Sequence, residues 1–209
     1  SGLGADERVF QLINFFEFSP TFIKWIPPMK DESIESYASR ILYQINSPNP
    51  ILIGLSFGGI MAIEVGKLIK TEKVVIIASA KEKSEIPLYF RLMGKLGLLD
   101  LFPISFLKNY NFITSWFFGA KKESERILLK QILKDTDAFF LKWALAKVIN
   151  WKNKNKLNNI FHLHGTHDRI LPIKFVKSDY HIENGGHFMT LSHSDEISKI
   201  LNKALKIVD

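Results

Sequence analysis

The chain has 209 residues, of which 46% are hydrophobic and 23% charged, and it contains no cysteine. This length and composition predict one soluble globular domain with a substantial core, and the lack of cysteine excludes disulfides, thiolate metal sites and a cysteine nucleophile. The formal net charge of +7 is not accompanied by a basic platform interleaved with aromatic residues, so we expect no nucleic-acid partner.

In chain order, the first 80 residues alternate amphipathic segments with short apolar ones. Such alternation predicts helices over residues 5–14, 33–44 and 57–70, and strands over residues 21–26, 51–55 and 74–78. Ser33 stands where the second helix would begin and can cap it. Unbroken apolar strands between helices indicate a parallel sheet that is covered on both faces, which is the α/β class.

Residues 81–151 change this rhythm, because they contain helical patterns, at 89–96, 123–134 and 138–149, and no strand pattern. We therefore predict a helical cap (lid) inserted into an α/β core formed by residues 1–80 and 152–209. Its bulky aromatic side chains either form the core of the insertion or line a substrate pocket, since ligand sites are mostly apolar. The candidates for the pocket are Trp116, Phe117, Phe140 and Trp143.

The alternation returns after the insertion, with strands predicted over residues 160–164 and 180–182 and a closing helix over residues 195–206. No apolar run reaches the roughly 20 residues that span a bilayer, and no leader pattern opens the sequence. We expect no stable membrane insertion and a cytoplasmic location.

Ser56 lies in the string Gly-Leu-Ser-Phe-Gly, between the strand at 51–55 and the helix that follows. A serine held in a sharp strand-to-helix turn needs glycine two residues before and two residues after it, because side chains there would block the neighbouring segments. The alternative is a Gly-rich turn with a solvent-facing serine, but the strand and helix on either side favour a nucleophile turn. We predict that Ser56 is a nucleophile.

A serine hydroxyl is a weak nucleophile at neutral pH and needs a base, for which histidine is the usual side chain. The active groups of a parallel sheet gather beyond the carboxyl ends of its strands. His187 follows the last predicted strand through two glycines, whereas His162 and His181 lie within strands. We therefore predict that His187 is the base.

Asp168 follows the strand at 160–164 through a short turn. A buried carboxylate at this place would orient His187 and stabilise the imidazolium that forms during attack, although an aspartate in a turn is often only a turn former. With Ser56 and His187 in place, we predict that Asp168 is the orienting acid.

The segment before Asp168 contains His162, His164 and His167, and histidines at i and i+2 share a strand face that could bind a metal. Their spacing matches no common zinc motif. We expect neither a metal nor a cofactor.

An acyl-transfer intermediate needs hydrogen-bond donors for its oxyanion, each worth about 3 kcal/mol. The N–H of Phe57, directly after the nucleophile and at a helix N-terminus, is one expected donor. The other must come from an earlier loop, and we select the N–H of Leu3 in the Gly-rich loop at residues 1–4. Leu3 and Phe57 would thereby also contact the substrate.

The order Ser56, Asp168, His187, with the segments GLSFGG, HGTHDRILP and NGGHFM, resembles the α/β-hydrolase superfamily over nearly the whole chain. The resemblance implies an oxyanion hole made by Leu3 and Phe57, and a helical cap in the position of residues 81–151. Many members have a histidine where this sequence has Ser1, and the resemblance also implies a short apolar strand before that residue. The serine at position 56 argues against dehalogenases of the same fold, which have an aspartate there.

The resemblance leaves the scissile bond open, because this fold hosts many reactions. We expect cleavage of a carboxylic ester of a small or medium apolar acyl group, through an acyl-enzyme on Ser56. The alternatives are a thioesterase, an amidase or a carbon–carbon bond hydrolase, and, in a different class, a non-catalytic ligand-binding or signalling module.

Overall fold

The structure is a computed structural model, and it describes residues 1–97, 108–154 and 157–206. Residues 98–107 of the predicted cap therefore lie outside the described residues. Neighbouring strands in the described sheet all run parallel, in the order in which they occur in the chain. The strands are β1 (Ile51–Leu55), β2 (Lys73–Ile77), β3 (Ile160–Gly165) and β4 (Tyr180–Ile182).

Helices cover both faces of this sheet, and the predicted α/β fold class is confirmed. Alternate residues of β2 point to opposite faces, Val75 and Ile77 into one core cluster and Val74 and Ile76 into the other. The unbroken apolar strand is thus explained by burial on both sides. The described α-helices are α1 (Ile34–Ile41), α2 (Phe57–Gly66), α3 (Leu88–Lys95), α4 (Phe112–Phe118), α5 (Glu123–Asp135), α6 (Ala138–Ile149), α7 (Met189–Ser192) and α8 (Ser194–Leu205).

Several helices match the sequence pattern closely. Ser33 caps α1, since its hydroxyl oxygen accepts a hydrogen bond of 3.1 Å from the N–H of Ser36. The pattern at 138–149 coincides with α6, and the one at 57–70 overestimates α2, which ends at Gly66. None of the described helices combines the length and hydropathy needed to cross a bilayer.

Two predicted elements near the start of the chain are wrong. The helix predicted over residues 5–14 is only a 3-10 turn at Glu7–Phe10. The N–H groups of Val9 and Ile13 bond to carbonyls three residues back instead of four, and the N–H of Asn14 donates to the Ser198 hydroxyl at 2.9 Å, so the segment does not continue as an α-helix.

The strand predicted over residues 21–26 does not form, and two of the segment's N–H groups bond to side chains instead of to another strand. Lys24 donates to the Gln44 side chain at 2.9 Å, and Ile26 donates to the Tyr37 hydroxyl at 3.0 Å. The segment therefore lies along the helical layer that starts with α1.

Residues 81–151 are mainly helical in their described parts, and most of the buried hydrophobic side chains there join the two core clusters of the sheet. Leu129 and Ile132 of α5 lie in the cluster of Val75, whereas Phe140 and Trp143 of α6 lie in the other. Helix α4 was not predicted, since its aromatic and β-branched residues have low helix propensity. A capping box between Asn111 and Thr114 begins it.

Candidate active site

Ser56 occupies a strained turn between β1 and α2. Its φ of 52° and ψ of −120° lie in a region that residues with a side chain rarely adopt. The turn is held from both sides, because the Ser56 N–H donates to the Ile77 carbonyl at 2.8 Å and its carbonyl accepts the Ser79 hydroxyl at 2.7 Å.

Both glycines of this turn are required by close approach of the backbone. A Cβ at Gly54 would overlap the Gly58 carbonyl, and a Cβ at Gly58 would overlap the carbonyl of Ser1. A side chain at either position would therefore clash with a neighbouring backbone segment, as the sequence analysis predicts.

The three residues predicted for the chemistry form one hydrogen-bonded line. His187 Nε2 lies 2.8 Å from Ser56 Oγ, and His187 Nδ1 lies 2.7 Å from Asp168 Oδ2. Asp168 is 3% exposed and His187 is 4% exposed. The side chains come from the ends of β1, β3 and β4, so the parallel sheet brings them to one edge.

The loops that carry Asp168 and His187 are fastened to each other. The N–H of His167 donates to the Gly185 carbonyl at 2.9 Å, and the N–H of Thr166 donates to the Ile182 carbonyl at 3.0 Å. These backbone bonds help to hold the two loops at a fixed distance, in addition to the hydrogen bond between the side chains of Asp168 and His187.

The carboxylate of Asp168 is held in its charged form. Its Oδ1 accepts the N–H groups of Ile170 and Leu171, each at 2.9 Å. Burial alone would raise the pKa of Asp168, but the charge and hydrogen bond of His187, with the backbone donors, hold the pKa below its ordinary value. The group can therefore orient the imidazole and stabilise a positive charge on it.

The segments that carry the two predicted oxyanion donors lie next to Ser56. Phe57 is the first residue of α2, and a Cβ built on Gly2 would lie 3.7 Å from Ser56 Cβ, which places the loop of Leu3 against the turn. Within the described residues, no hydrogen bond engages the N–H of Leu3 or that of Phe57. Neither N–H is therefore occupied by an acceptor in that part of the chain.

The aromatic candidates fall into two groups. Phe140 and Trp143 are 4% and 7% exposed and pack with the ring of Phe57, at centroid distances of 6.0 and 6.1 Å. Trp116 and Phe117, by contrast, are 47% and 41% exposed on α4. The structure thus brings the first pair beside Phe57 and leaves the second pair at the surface.

Sequence reasoning missed two aromatic residues at the site. The ring of Phe118 meets the His187 imidazole edge to face at 5.8 Å, and Trp25 packs on Phe57 at 5.3 Å while its Nε1 donates to the Gly2 carbonyl. Phe118 belongs to the same aromatic run as Trp116. Only a prediction of helix α4 could have shown which of these side chains faces His187, and the sequence pattern does not predict that helix.

The histidines considered for a metal are arranged differently. His162 Nε2 lies 3.2 Å from His164 Nδ1, His164 Nε2 lies 2.7 Å from the Leu171 carbonyl, and His167 is exposed. Among residues 1–97, 108–154 and 157–206, no group of three His, Asp or Glu side chains is placed to hold a metal ion.

A groove of about 550 Å³ lies elsewhere, along the outer edge of β1, where Phe10, Phe15 and Ile53 contribute to its wall. Its lining does not include Ser56, Asp168 or His187. It does include Ser1, Trp25 and Gly58, so the groove reaches the backbone around the Ser56 turn without touching the three side chains of the hydrogen-bonded line.

No protein-family model and no curated protein matches the sequence. Solved structures do match. A bromoperoxidase from Bacillus anthracis is 21% identical, with a TM-score of 0.58, over 84% of this chain and 75% of its own. A thermophilic esterase from Thermogutta terrifontis is 13% identical, with a TM-score of 0.59, over 87% and 74%. A mutant of the N-acyl homoserine lactonase AidH is 16% identical, with a TM-score of 0.64, over 97% and 86%.

Proposed function

The chain has the α/β-hydrolase fold, and from that premise we propose that it is a serine hydrolase whose catalytic triad is Ser56, His187 and Asp168. The observation that supports this most strongly is the continuous line of hydrogen bonds from Asp168 Oδ2 through both nitrogens of His187 to Ser56 Oγ. Nucleophile, base and orienting acid in this arrangement need no cofactor.

In the first half of the proposed reaction, Ser56 Oγ attacks the carbonyl carbon of an ester while His187 Nε2 accepts the hydroxyl proton. The carbon becomes tetrahedral and its oxygen takes the negative charge. Asp168 stabilises the positive imidazolium, because its carboxylate accepts the Nδ1 hydrogen at 2.7 Å. His187 then returns the proton to the departing alcohol, which leaves the acyl group on Ser56.

In the second half, water attacks the acyl carbonyl and His187 Nε2 accepts a proton from it. Collapse of the second tetrahedral intermediate breaks the bond to Ser56 Oγ, which takes the proton back. The acid is released and the enzyme is restored, so the net reaction consumes one water and one ester.

The oxyanion of both intermediates is assigned to the N–H groups of Phe57 and Leu3. Support for this comes from the position of Phe57 at the start of α2, where the helix dipole favours negative charge, and from the proximity of Gly2, the residue before Leu3, to Ser56.

We further propose that residues 81–151 form a helical cap and that the substrate is a carboxylic ester with a small or medium apolar acyl group. Phe118 of α4 lies against His187, so one aromatic side chain of this segment borders the triad, and Phe140 of α6 packs on Phe57, the residue after Ser56. Among the proteins with similar folds are an esterase and a lactonase, whose substrates share the ester bond.

Labelling with a fluorophosphonate probe tests the proposed triad. We expect the wild type to be labelled, and the variants Ser56→Ala and His187→Ala to be labelled at least about 10³-fold more slowly. Two exposed residues offer matched controls, Ser47→Ala and His181→Ala, which should react like the wild type. A wild type that the probe does not label would overturn the assignment.

A panel of p-nitrophenyl esters of increasing acyl length tests the proposed substrate class. We expect a maximum at short or medium chains and loss of activity in Ser56→Ala. Flat rates near zero across the panel, in a protein that the fluorophosphonate does label, would point to a thioester, amide or carbon–carbon bond instead.

A further inference from the structure

Two buried histidines stand behind the triad and take no part in the mechanism above. His162 and His164 lie on β3 with fully buried side chains. Their rings are joined by the 3.2 Å contact from His162 Nε2 to His164 Nδ1. Buried polar groups are costly unless they are hydrogen-bonded, so a pair of imidazoles inside a strand calls for a reason.

The partners of His164 determine which of its nitrogens carries hydrogen. The Leu171 carbonyl, 2.7 Å from Nε2, can only accept, so His164 Nε2 must donate. In a neutral ring Nδ1 is then an acceptor, and the donor to it is His162 Nε2. The hydrogen bonds thus run in one direction, from His162 to His164 and from His164 to the Leu171 carbonyl.

Both rings are neutral near pH 7. Burial lowers the pKa of His164, against the opposing effect of the Asp168 charge. Burial, with smaller effects of His164 and Lys81, lowers the pKa of His162 further. A neutral imidazole donates from one nitrogen and accepts at the other, which is what His164 needs in order to accept from His162 and donate to the Leu171 carbonyl.

The same peptide segment ties His164 to the acid of the triad. Leu171 donates its N–H to Asp168 Oδ1 at 2.9 Å and accepts from His164 Nε2 through its carbonyl. His164 Nε2 is 3.6 Å from Asp168 Oδ2, too far for a good hydrogen bond. The direct contact is therefore weak, and the connection runs through the backbone of Leu171.

We propose that His164 is a positioning residue, which fixes the Asp168 carboxylate through the Leu171 carbonyl while His162 fixes the tautomer of His164. The inference rests on the proposed function, because it assigns these histidines to the same triad. A displacement of about 1 Å in a catalytic group can cost 100-fold in rate, so an anchor of this kind has a measurable effect.

Two amide substitutions separate the anchor from the bulk of the ring. The amide of His164→Gln reaches the place of Nε2 and can still donate to the Leu171 carbonyl. The amide of His164→Asn reaches only the place of Nδ1 and leaves that carbonyl without its donor. His181→Asn is the matched control, since His181 is exposed and lies opposite His164 in the β3–β4 ladder.

The rate of fluorophosphonate labelling is the first readout. We expect His164→Gln to stay within about 3-fold of the wild type and His164→Asn to lose roughly 10- to 100-fold, with His181→Asn unchanged and all variants folded by circular dichroism. Equal rates in the two His164 variants, whether both normal or both reduced, would overturn the proposal.

Nuclear magnetic resonance supplies a readout that does not need activity. In the wild type, nitrogen shifts should show hydrogen on Nε2 of both His162 and His164, and the Nδ1 proton of His187 should resonate far downfield because of its bond to Asp168. His164→Asn should shift or broaden that proton signal, and His164→Gln should preserve it.

An Nδ1-protonated His164 in the wild type would contradict the proposal even if His164→Asn does not fold. If the probe does not label the wild type, but the His187 Nδ1 proton signal still changes in His164→Asn and not in His164→Gln, the hydrolase function is refuted and the positioning role stands. The two failures are thus distinguishable.

Discussion

At the scale of single residues, the turn around Ser56 depends on the absence of side chains at its two glycines. Gly54→Ala should destabilise the protein by about 3 kcal/mol or more, because the added Cβ would overlap the Gly58 backbone and neither strand nor helix can give way. The measurement is urea unfolding of both proteins. Gly2→Ala is the control, since its Cβ would meet only ordinary contacts from 3.7 Å outward, and equal stability of the two variants would contradict the account.

The buried histidines make stability depend on pH. The folded-state pKa values of His162 and His164 lie below the ordinary value of 6.5, so below about pH 6.5 the unfolded chain binds more protons than the folded one. The contribution of these two histidines to the free energy of unfolding is therefore complete above that pH, and it decreases as the pH falls.

His162→Phe removes one of these two sites. Near pH 5 it should reduce the slope of unfolding free energy against pH by up to about 1.4 kcal/mol per pH unit, which corresponds to one proton. Urea titrations at several pH values from 7 downward measure this slope, with the exposed His181→Phe as the comparison. A slope that His162→Phe leaves unaltered would mean that the ring is not held neutral.

At the scale of elements, the end of α4 is joined to the loop of His187. The Phe118 carbonyl accepts the N–H of Phe188 at 3.0 Å, and a Cβ on Gly186 would lie 3.1 Å from Gly119 Cα. A side chain at Gly186 would therefore push the two backbones apart.

Phe118→Ala should lower the labelling rate of Ser56 by about 10-fold, because the ring that packs against His187 is lost and the imidazole gains freedom. Ile113→Ala is the control, since Ile113 lies on the same helix and is 60% exposed. If both substitutions leave the rate unchanged, α4 does not support the base.

Elements with a clear period were predictable from the sequence, whereas those fixed by distant side chains were not. The patterns of α5 and α6 end within a residue of the observed helices. The segment 21–26 has the composition of a strand, but Gln44 and Tyr37 take up its N–H groups.

The site divides in the same way. Ser56, Asp168 and His187 could be placed together, because strand ends in a parallel sheet share an edge. The contact of Phe118 with His187, and the link from His164 through Leu171 to Asp168, depend on how loops far apart in the chain pack. No local pattern in the sequence encodes that packing.

At the scale of the whole molecule, most of the buried hydrophobic side chains in the described part of the segment 81–151 belong to the two cores of the sheet. Trp143 and Trp151 both lie in the cluster that contains Val74 and Ile76. We therefore expect one cooperative unfolding transition, with the same urea midpoint by tryptophan fluorescence and by far-ultraviolet circular dichroism. Two separated midpoints would show instead that the segment is an independent unit.

The central claim, an acyl-enzyme on Ser56, is tested most directly by trapping it. The protein is mixed with p-nitrophenyl butyrate, quenched in acid within the first turnovers, digested and examined by mass spectrometry. We expect the mass of one butyryl group on the peptide that contains Ser56, and no such adduct in Ser56→Ala. Ester turnover without an adduct, or an adduct on another residue, would contradict the account.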